Sequence, residues 1–497
     1  MRDVSINSES KNIEIYFCDV FEVDPNDLEA HGAFNISVVN DLPLFIDPFL
    51  LFNSKKPEYR ALHEQMIRYL RFLRDKAAAG ALDDGLIEAW FTFHEVKQNW
   101  LGFSKSGNTG SGLGTEFARA LYANLNTVFR SFGEETVTKG SHLEKLTLIR
   151  AGVGKDNISD FTTNLIKRYL LEYTAEFATG NIRSGLCQEF NVSKASFNYE
   201  TETWEAATFK LPSYKGDFVI LTPKDMLTKD DTWINRPDLL DKFELIAESL
   251  PNDSLRALIN NYFRQQLPKK PNEQEIVEAK ARTIKEYPQI IEYYIREKEE
   301  DGGQAESISK RKVRETELFF IDRVKSLAEM LLADTSFYAM RGDTYAEARQ
   351  RVEFLKDVIE NKDGYRIFWQ GEQPIRKEDD LQVLYRLTWF GTPSDINREV
   401  NNGRGPVDFK VSRGSPDKSL VECKLASNSK LKQNLANQVA IYQKASDAPH
   451  ALKIIVYFTE AELRRVQNIL KELNLSGSED IILIDARRDN KPSASVA

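Results

Sequence analysis

The chain has 497 residues, 41% of them hydrophobic, with 67 Lys+Arg against 76 Asp+Glu and a formal net charge of −9. This composition excludes a disordered or collagen-like chain, and the acidic balance excludes a broadly basic nucleic-acid coat. The length has room for roughly two to four domains.

Three cysteines, Cys18, Cys187 and Cys423, are far apart and odd in number. They form neither a disulfide framework nor a paired metal spacing, so a reducing, cytoplasmic setting is expected. Asp3, Glu9 and Glu14 interrupt the N-terminus, so no secretory leader is expected. The best apolar run, Leu42–Phe52, holds Asp47 and two prolines and is too short to span a bilayer.

Residues 1–240 read as a mixed α/β region. Helices are expected over about 57–77, 115–130 and 156–179, with strand-like pieces near 191–221. Between Trp100 and Glu116 lies a glycine-rich run, Gly102–Thr115. It matches neither a Walker loop nor a dinucleotide fingerprint. Its reading is a surface loop; the second reading is a nucleotide or phosphate site at 107–114, held by backbone amides and a following helix N-terminus. The five histidines (His31, His63, His94, His142, His450) are scattered, and only His94, beside Glu95, stands out. Residues 241–362 read as a charged helical connector. The polar break Glu297–Glu306 suggests a mobile joint there. Phe319, Phe320, Val324, Leu327 and Leu331 make a helical apolar stripe, read as core.

The chemistry concentrates in residues 363–497, which carry 20 Lys+Arg against 18 Asp+Glu, in contrast to the acidic remainder. On a helix starting at Glu378, that residue shares a side with Gln382, Tyr385 and Trp389. A carboxylate at the head of a packing face is expected to reach something. After a short strand at about 396–401, residues 405–413 read as a strand with Val407, Phe409 and Val411 on one face and Asp408 and Lys410 on the other. Gly414–Lys418 is turn chemistry. Residues 419–425 read as the return strand, with Val421, Cys423 and Leu425 buried and Glu422 and Lys424 opposite. Then come a helix at 429–445, with Gln438 and Tyr442 one turn apart, a strand at 452–458, a helix at 460–473 and a last strand at 481–485.

Asp408 and Glu422 thus fall beside each other on a hairpin. Two bare carboxylates a few ångströms apart repel, and a divalent cation removes the conflict. Mg²⁺ (or Mn²⁺) fits, because it is held by one or two carboxylates plus substrate phosphate and water. Lys424 would orient the water or stabilise charge in the transition state. Other Glu-x-Lys triplets occur at Glu95–Lys97, Glu278–Lys280 and Glu360–Lys362. The last two lie in polar helical stretches. The first, in Ala89–Lys97, reads as a strand preceded by Asp83 and Asp84, but it lacks an aspartate on a partner strand and a following Gln-x-x-x-Tyr.

The element order and these motifs resemble the PD-(D/E)XK, or restriction-endonuclease-like, nuclease superfamily over about residues 363–497. One departure is that Val407 separates Pro406 from Asp408. The resemblance implies a mixed sheet flanked by helices. It implies Asp408 and Glu422 as metal ligands assisted by the backbone carbonyl of Cys423, and Lys424 as the catalytic lysine. Glu378 matches the acid that some members carry on their first helix. Gln438 and Tyr442 match the Gln-x-x-x-Tyr of the exonuclease branch. Arg404, Lys410, Arg413, Lys430 and Lys432 surround the expected site as candidate phosphate contacts.

The expectation is a metal-dependent nuclease acting on DNA, with RNA not excluded, and working as a homo-oligomer or with a partner protein. By family analogy it is a regulated defence effector whose N-terminal region senses or controls. The alternative is a catalytically inactive nucleic-acid-binding or assembly protein with a nuclease-like domain.

Overall fold

The computed structural model describes residues 14–80, 82–102, 118–119, 121–122, 132–133, 135–149, 154–229, 231–334, 343–362, 364–370, 373–387, 389, 395–398, 409–413, 417–436 and 450–491. The chain is mixed α/β, with helices dominating the first two-thirds and the largest sheet near the C-terminus. No helix among the described residues is long and apolar enough to cross a membrane. Cys18, Cys187 and Cys423 are buried.

The N-terminal region is organised around helix α1 (Pro57–Ala79), which has Pro57 in its first turn. Proline is tolerated there because that N–H has no helical acceptor. Its buried residues Tyr59, Leu62, Met66, Ile67, Leu70 and Leu73 follow the three-to-four spacing of one helical face. Strand β1 (Leu44–Ile46) precedes it. A long antiparallel hairpin follows, β2 (Cys187–Asn198) and β3 (Thr203–Tyr214), edged by β4 (Asp217–Phe218). Strand β5 (Leu227–Lys229) returns to pair with β1.

Several details depart from the periodicity. The expected helix 156–179 is two helices, Lys155–Leu165 and Lys167–Asn181, meeting at Ile166. Residues Asp84–Phe91 form a helix capped by the Asp83 carboxylate, which accepts from the Leu86 N–H. The run Ala89–Lys97 is therefore not a strand, and its Glu-x-Lys is no hairpin site. Aromatic residues favour strands only weakly, and a good N-cap decides the local outcome.

The helical middle also differs at one point. The polar break at 297–306 is no connector, because the helix Gln289–Glu300 passes through Asp301 directly into the helix Gly302–Glu317. Gly302 packs so closely on Asn53 that any Cβ would collide with that side-chain amide. Close approach, rather than flexibility, is what glycine supplies there. Phe319, Phe320, Val324, Leu327 and Leu331 are all buried, and a π-helical turn at Leu318–Arg323 brings both phenylalanines inward.

A buried polar cluster ties the N-terminal region to the helical middle. Glu299 accepts from the backbone N–H groups of Lys139 (2.7 Å) and Gly140 (3.1 Å) and from His142 Nε2 (2.8 Å). Lys145 Nζ bridges Glu135 and Glu292, each at 2.8 Å. The His63 ring lies beside that of His142, centroids 5.9 Å apart and planes tilted by 56°. His63 Nε2 and His142 Nδ1 are buried without a hydrogen-bond partner among the described residues.

Among the described residues the C-terminal sheet has five strands. After a small hairpin of β6 (Trp369–Gln370) and β7 (Gln373–Pro374), they are β8 (Asp395–Arg398), β9 (Phe409–Arg413), β10 (Asp417–Leu425), β11 (His450–Tyr457) and β12 (Ile481–Asp485). The pairs β8–β9 and β9–β10 are antiparallel; β10–β11 and β11–β12 are parallel. The hairpin turn is tighter than Gly414–Lys418: Asp417 already pairs with Arg413 and Lys418 with Ser412. The Asp417 carboxylate accepts from the N–H and the hydroxyl of Thr344 instead of shaping a turn.

Helices α2 (Thr344–Asn361) and α3 (Glu378–Leu387) cover one face of this sheet, over Val421, Cys423, Leu425, Ile454 and Val456. Helix α4 (Glu460–Glu472) and the helical residues 431–436 cover the other, over Ile455 and Tyr457. The first face joins a core that continues through the N-terminal region to Ile15.

The histidines make stability pH-dependent. Burial pushes the His63 imidazole down from 6.5 to about 3, with His142 nearby adding to the effect. Burial also lowers His142, against the opposing pull of Glu299. Above about pH 6.5 an unfolded histidine is neutral too; below it the unfolded chain binds a proton that the folded chain refuses. Stability should then fall with acidity by up to about 1.4 kcal/mol per pH unit for each such ring. Urea unfolding at pH 7 and pH 5 should show a smaller loss for His63→Leu than for wild type; equal losses would remove His63 from this account.

Candidate functional site

The central strand β10 carries the candidate site. Its alternation holds as the sequence implies, with Val421, Cys423 and Leu425 turned into the shared core. The opposite face is not a solvated edge. Glu422 is only 7% exposed, because α4 and the 431–436 turns close over that side. A carboxylate this buried needs cationic partners, and two lysines provide them.

Lys424, two residues along the strand, lies 3.3 Å from Glu422 Oε1. Lys453, on β11, is the register partner of Glu422. Its Nζ lies 4.0 Å from Oε2, with the side chain 5% exposed. Among the described residues, neither Glu422 Oε1 nor Lys453 Nζ is aligned for a hydrogen bond, so these contacts are ionic rather than directional. Burial lowers the proton affinity of Lys453, Lys424 lowers it further, and Glu422 opposes them.

Glu378, the first residue of α3, reaches this group from the other side of the sheet. Its Oε1 accepts from Leu425 N–H (3.1 Å) and Asn428 Nδ2 (2.7 Å), while Oε2 lies 3.5 Å from Lys424 Nζ. The carboxylate at the head of an apolar helical face thus fastens the carboxyl end of β10. This is also the point where pairing changes from antiparallel to parallel, and open sheets of this kind bind ligands at the carboxyl ends of such strands. The segment after β10 is held further by Arg465, which donates to the carbonyls of Ala426 (2.6 Å) and Asn428 (2.7 Å).

The other expected site residues divide into three groups. Asp408, Gln438, Tyr442 and Arg404 lie outside the described residues, as does the 107–114 loop. Phe409 pairs with Val421, the residue before Glu422 on β10. Cys423 is buried with its side chain in the core, away from Glu422. Of the proposed phosphate contacts, Lys410 shares the Glu422 face by alternation and is half-buried. Arg413 pairs with the buried Glu347 of α2, roughly 13 Å along the strand from Phe409. Lys432 pairs with Glu472 at 2.7 Å on the surface, and Lys430 is exposed.

Lys453 and Arg465 were not singled out by the sequence reading. The sign of Lys453 was present: one cation inside the apolar run Leu452–Phe458. Arg465 carries no such sign, since it looks like any cation on an amphipathic helix.

Residues 22–235 match one domain of unknown function, DUF8370, and residues 344–460 match another, DUF8371. The second match opens at the first residue of α2 and contains Glu378, Glu422, Lys424 and Lys453. Helix α2 is therefore grouped with the sheet it covers. No curated protein and no solved structure matches the chain.

Glu378 can be tested as a fastener. Removing its carboxylate leaves the partly buried Leu425 N–H without that acceptor, at a cost of about 1–3 kcal/mol. Glu378→Ala should lower the urea midpoint accordingly, and an unchanged midpoint would show that the contact is dispensable.

Proposed function

We propose that the C-terminal sheet is the catalytic domain of a metal-dependent nuclease of the PD-(D/E)XK type, hydrolysing phosphodiester bonds in DNA. The observation that supports this reading best is the convergence of Glu422, Lys424 and Glu378 at the carboxyl end of one central strand. Three residues drawn from a helix and a hairpin, and separated by up to 46 positions, meet within ion-pair distance.

The donor chemistry suits a hard divalent cation. Glu422 Oε1 is a buried carboxylate oxygen without a hydrogen bond among the described residues. Among the described residues no group of three His, Cys, Asp or Glu side chains is arranged to hold a metal ion. Mg²⁺ does not need three, because it keeps several waters and takes one or two carboxylates. Asp408 and Glu422, with the backbone carbonyl of Cys423, are the groups that would hold it. When bound, the ion supplies Lewis acidity and a more acidic water. Lys424 offers an ammonium to the charge that develops on the phosphoryl oxygens. Glu378 keeps that ammonium aimed by pairing with it from behind. Helix α4 and residues 431–436 limit water around Glu422, which strengthens each of these charge interactions. Lys410 and Lys430 are suited to holding the polyanion near the sheet edge.

The N-terminal region fits a controlling role. Its core is continuous with that of α2 and α3, so a ligand that shifts it would strain the sheet. That coupling suits a regulated defence effector.

The test is cleavage of supercoiled plasmid with Mg²⁺ or Mn²⁺. Wild type should nick or cut it, and Lys424→Ala should lose about a hundredfold or more of that rate. Equal activity in the two proteins would end the catalytic assignment. Asp408→Ala should lose Mn²⁺ binding by calorimetry; unchanged affinity would remove Asp408 as a ligand.

A further inference from the structure

Lys453 is not among the groups that the nuclease reading uses. It sits on β11 directly opposite Glu422, 4% exposed, with a buried Nζ that makes no hydrogen bond among the described residues. An ammonium in that state is costly to bury. Apolar residues surround it in sequence (Leu452, Ile454, Ile455), and a methionine would fill the same space. Among the described residues, its one charged neighbour of opposite sign within ion-pair distance is Glu422 Oε2, at 4.0 Å. Lys424 holds the other oxygen. Among the described residues, the site thus joins two carboxylates, Glu422 and Glu378, with two ammonium groups.

We propose that Lys453 is a fixed counter-charge that keeps Glu422 oriented while no cation is bound and weakens the affinity of the site for a divalent cation. This inference rests on the reading of Glu422 as a metal ligand. The physical argument is one of sign. A divalent cation beside Glu422 gains from the carboxylate and loses from each nearby ammonium. Lys453 is too buried to step aside into solvent, so its repulsion persists after the ion arrives. The phosphate of a nucleic acid brings compensating negative charge. The cation therefore binds poorly alone and well together with nucleic acid, and Lys453 acts as a positioning residue rather than a catalytic one.

The experiment is titration of the full chain with Mn²⁺, followed by calorimetry, without nucleic acid. Wild type is compared with Lys453→Met, Lys453→Gln, Lys453→Arg and Glu422→Gln, each checked for folding by circular dichroism. Neutral replacement should tighten Mn²⁺ binding by roughly tenfold or more, the least expected from one charge a few ångströms from the ion in a high dielectric. Lys453→Arg keeps the charge and should bind as wild type does. A second titration with a short DNA duplex present should show less gain from DNA in the neutral variants than in wild type. Unchanged or weaker Mn²⁺ affinity in both neutral variants would overturn the proposal while leaving the metal site intact, provided that Glu422→Gln loses binding. If Glu422→Gln binds Mn²⁺ as wild type does, the metal assignment falls and this inference falls with it.

Discussion

A carboxylate buried in the middle of a sheet governs the C-terminal region. Glu422 lies on the central strand, covered on its own face by α4 and the 431–436 turns. Removing it from water is expensive, and the cost is offset only by opposite charge close at hand. Lys424 and Lys453 supply that charge from the same strand and from its neighbour. Glu378 then balances Lys424 and closes the end of the strand. Each charged group is explained by the next, and the chain of compensation begins at Glu422.

This arrangement separates rigidity from chemistry. The apolar face of β10 is packed against α2 and α3 and belongs to a core reaching the N-terminal region. That packing fixes the strand and its register. The polar face can therefore hold like and unlike charges at set distances without the strand sliding to relieve them. A one-residue slip would place Glu422 and Lys424 in the core and Val421 and Cys423 under α4, which the burial pattern forbids.

A second buried network, around Glu299, His142 and Lys145, joins the N-terminal region to the helical middle. Here too charges are enclosed and satisfied by partners distant in sequence. Such networks specify how layers dock, because a shift of a few ångströms leaves a buried charge exposed to nothing. A shared core runs from Ile15 of the N-terminal region to Ala486 beside the C-terminal sheet.

Much of the C-terminal sheet was legible in the sequence. Strict alternation in Leu420–Leu425, an apolar strand at Leu452–Phe458 and the amphipathic run at 460–473 each reflect a local period, and a local period survives folding. The position of Glu378 was legible for the same reason: a charge at the head of an apolar helical stripe contradicts its surroundings. Other features were out of reach. The run Ala89–Phe91 lies in a helix capped by Asp83, and the 297–306 break is only the junction of two helices at Asp301, with Gly302 packed against Asn53. Both outcomes rest on contacts that propensity does not contain. Lys453 looked like a stray cation, and the pairing of β10 with β11 set it against Glu422. Strand register between segments about thirty residues apart is a property of packing. Sequence by itself determined which residues could carry charge on which face; only tertiary structure decided which charges met, because the partners of a buried ion are chosen by the layers that exclude water around it.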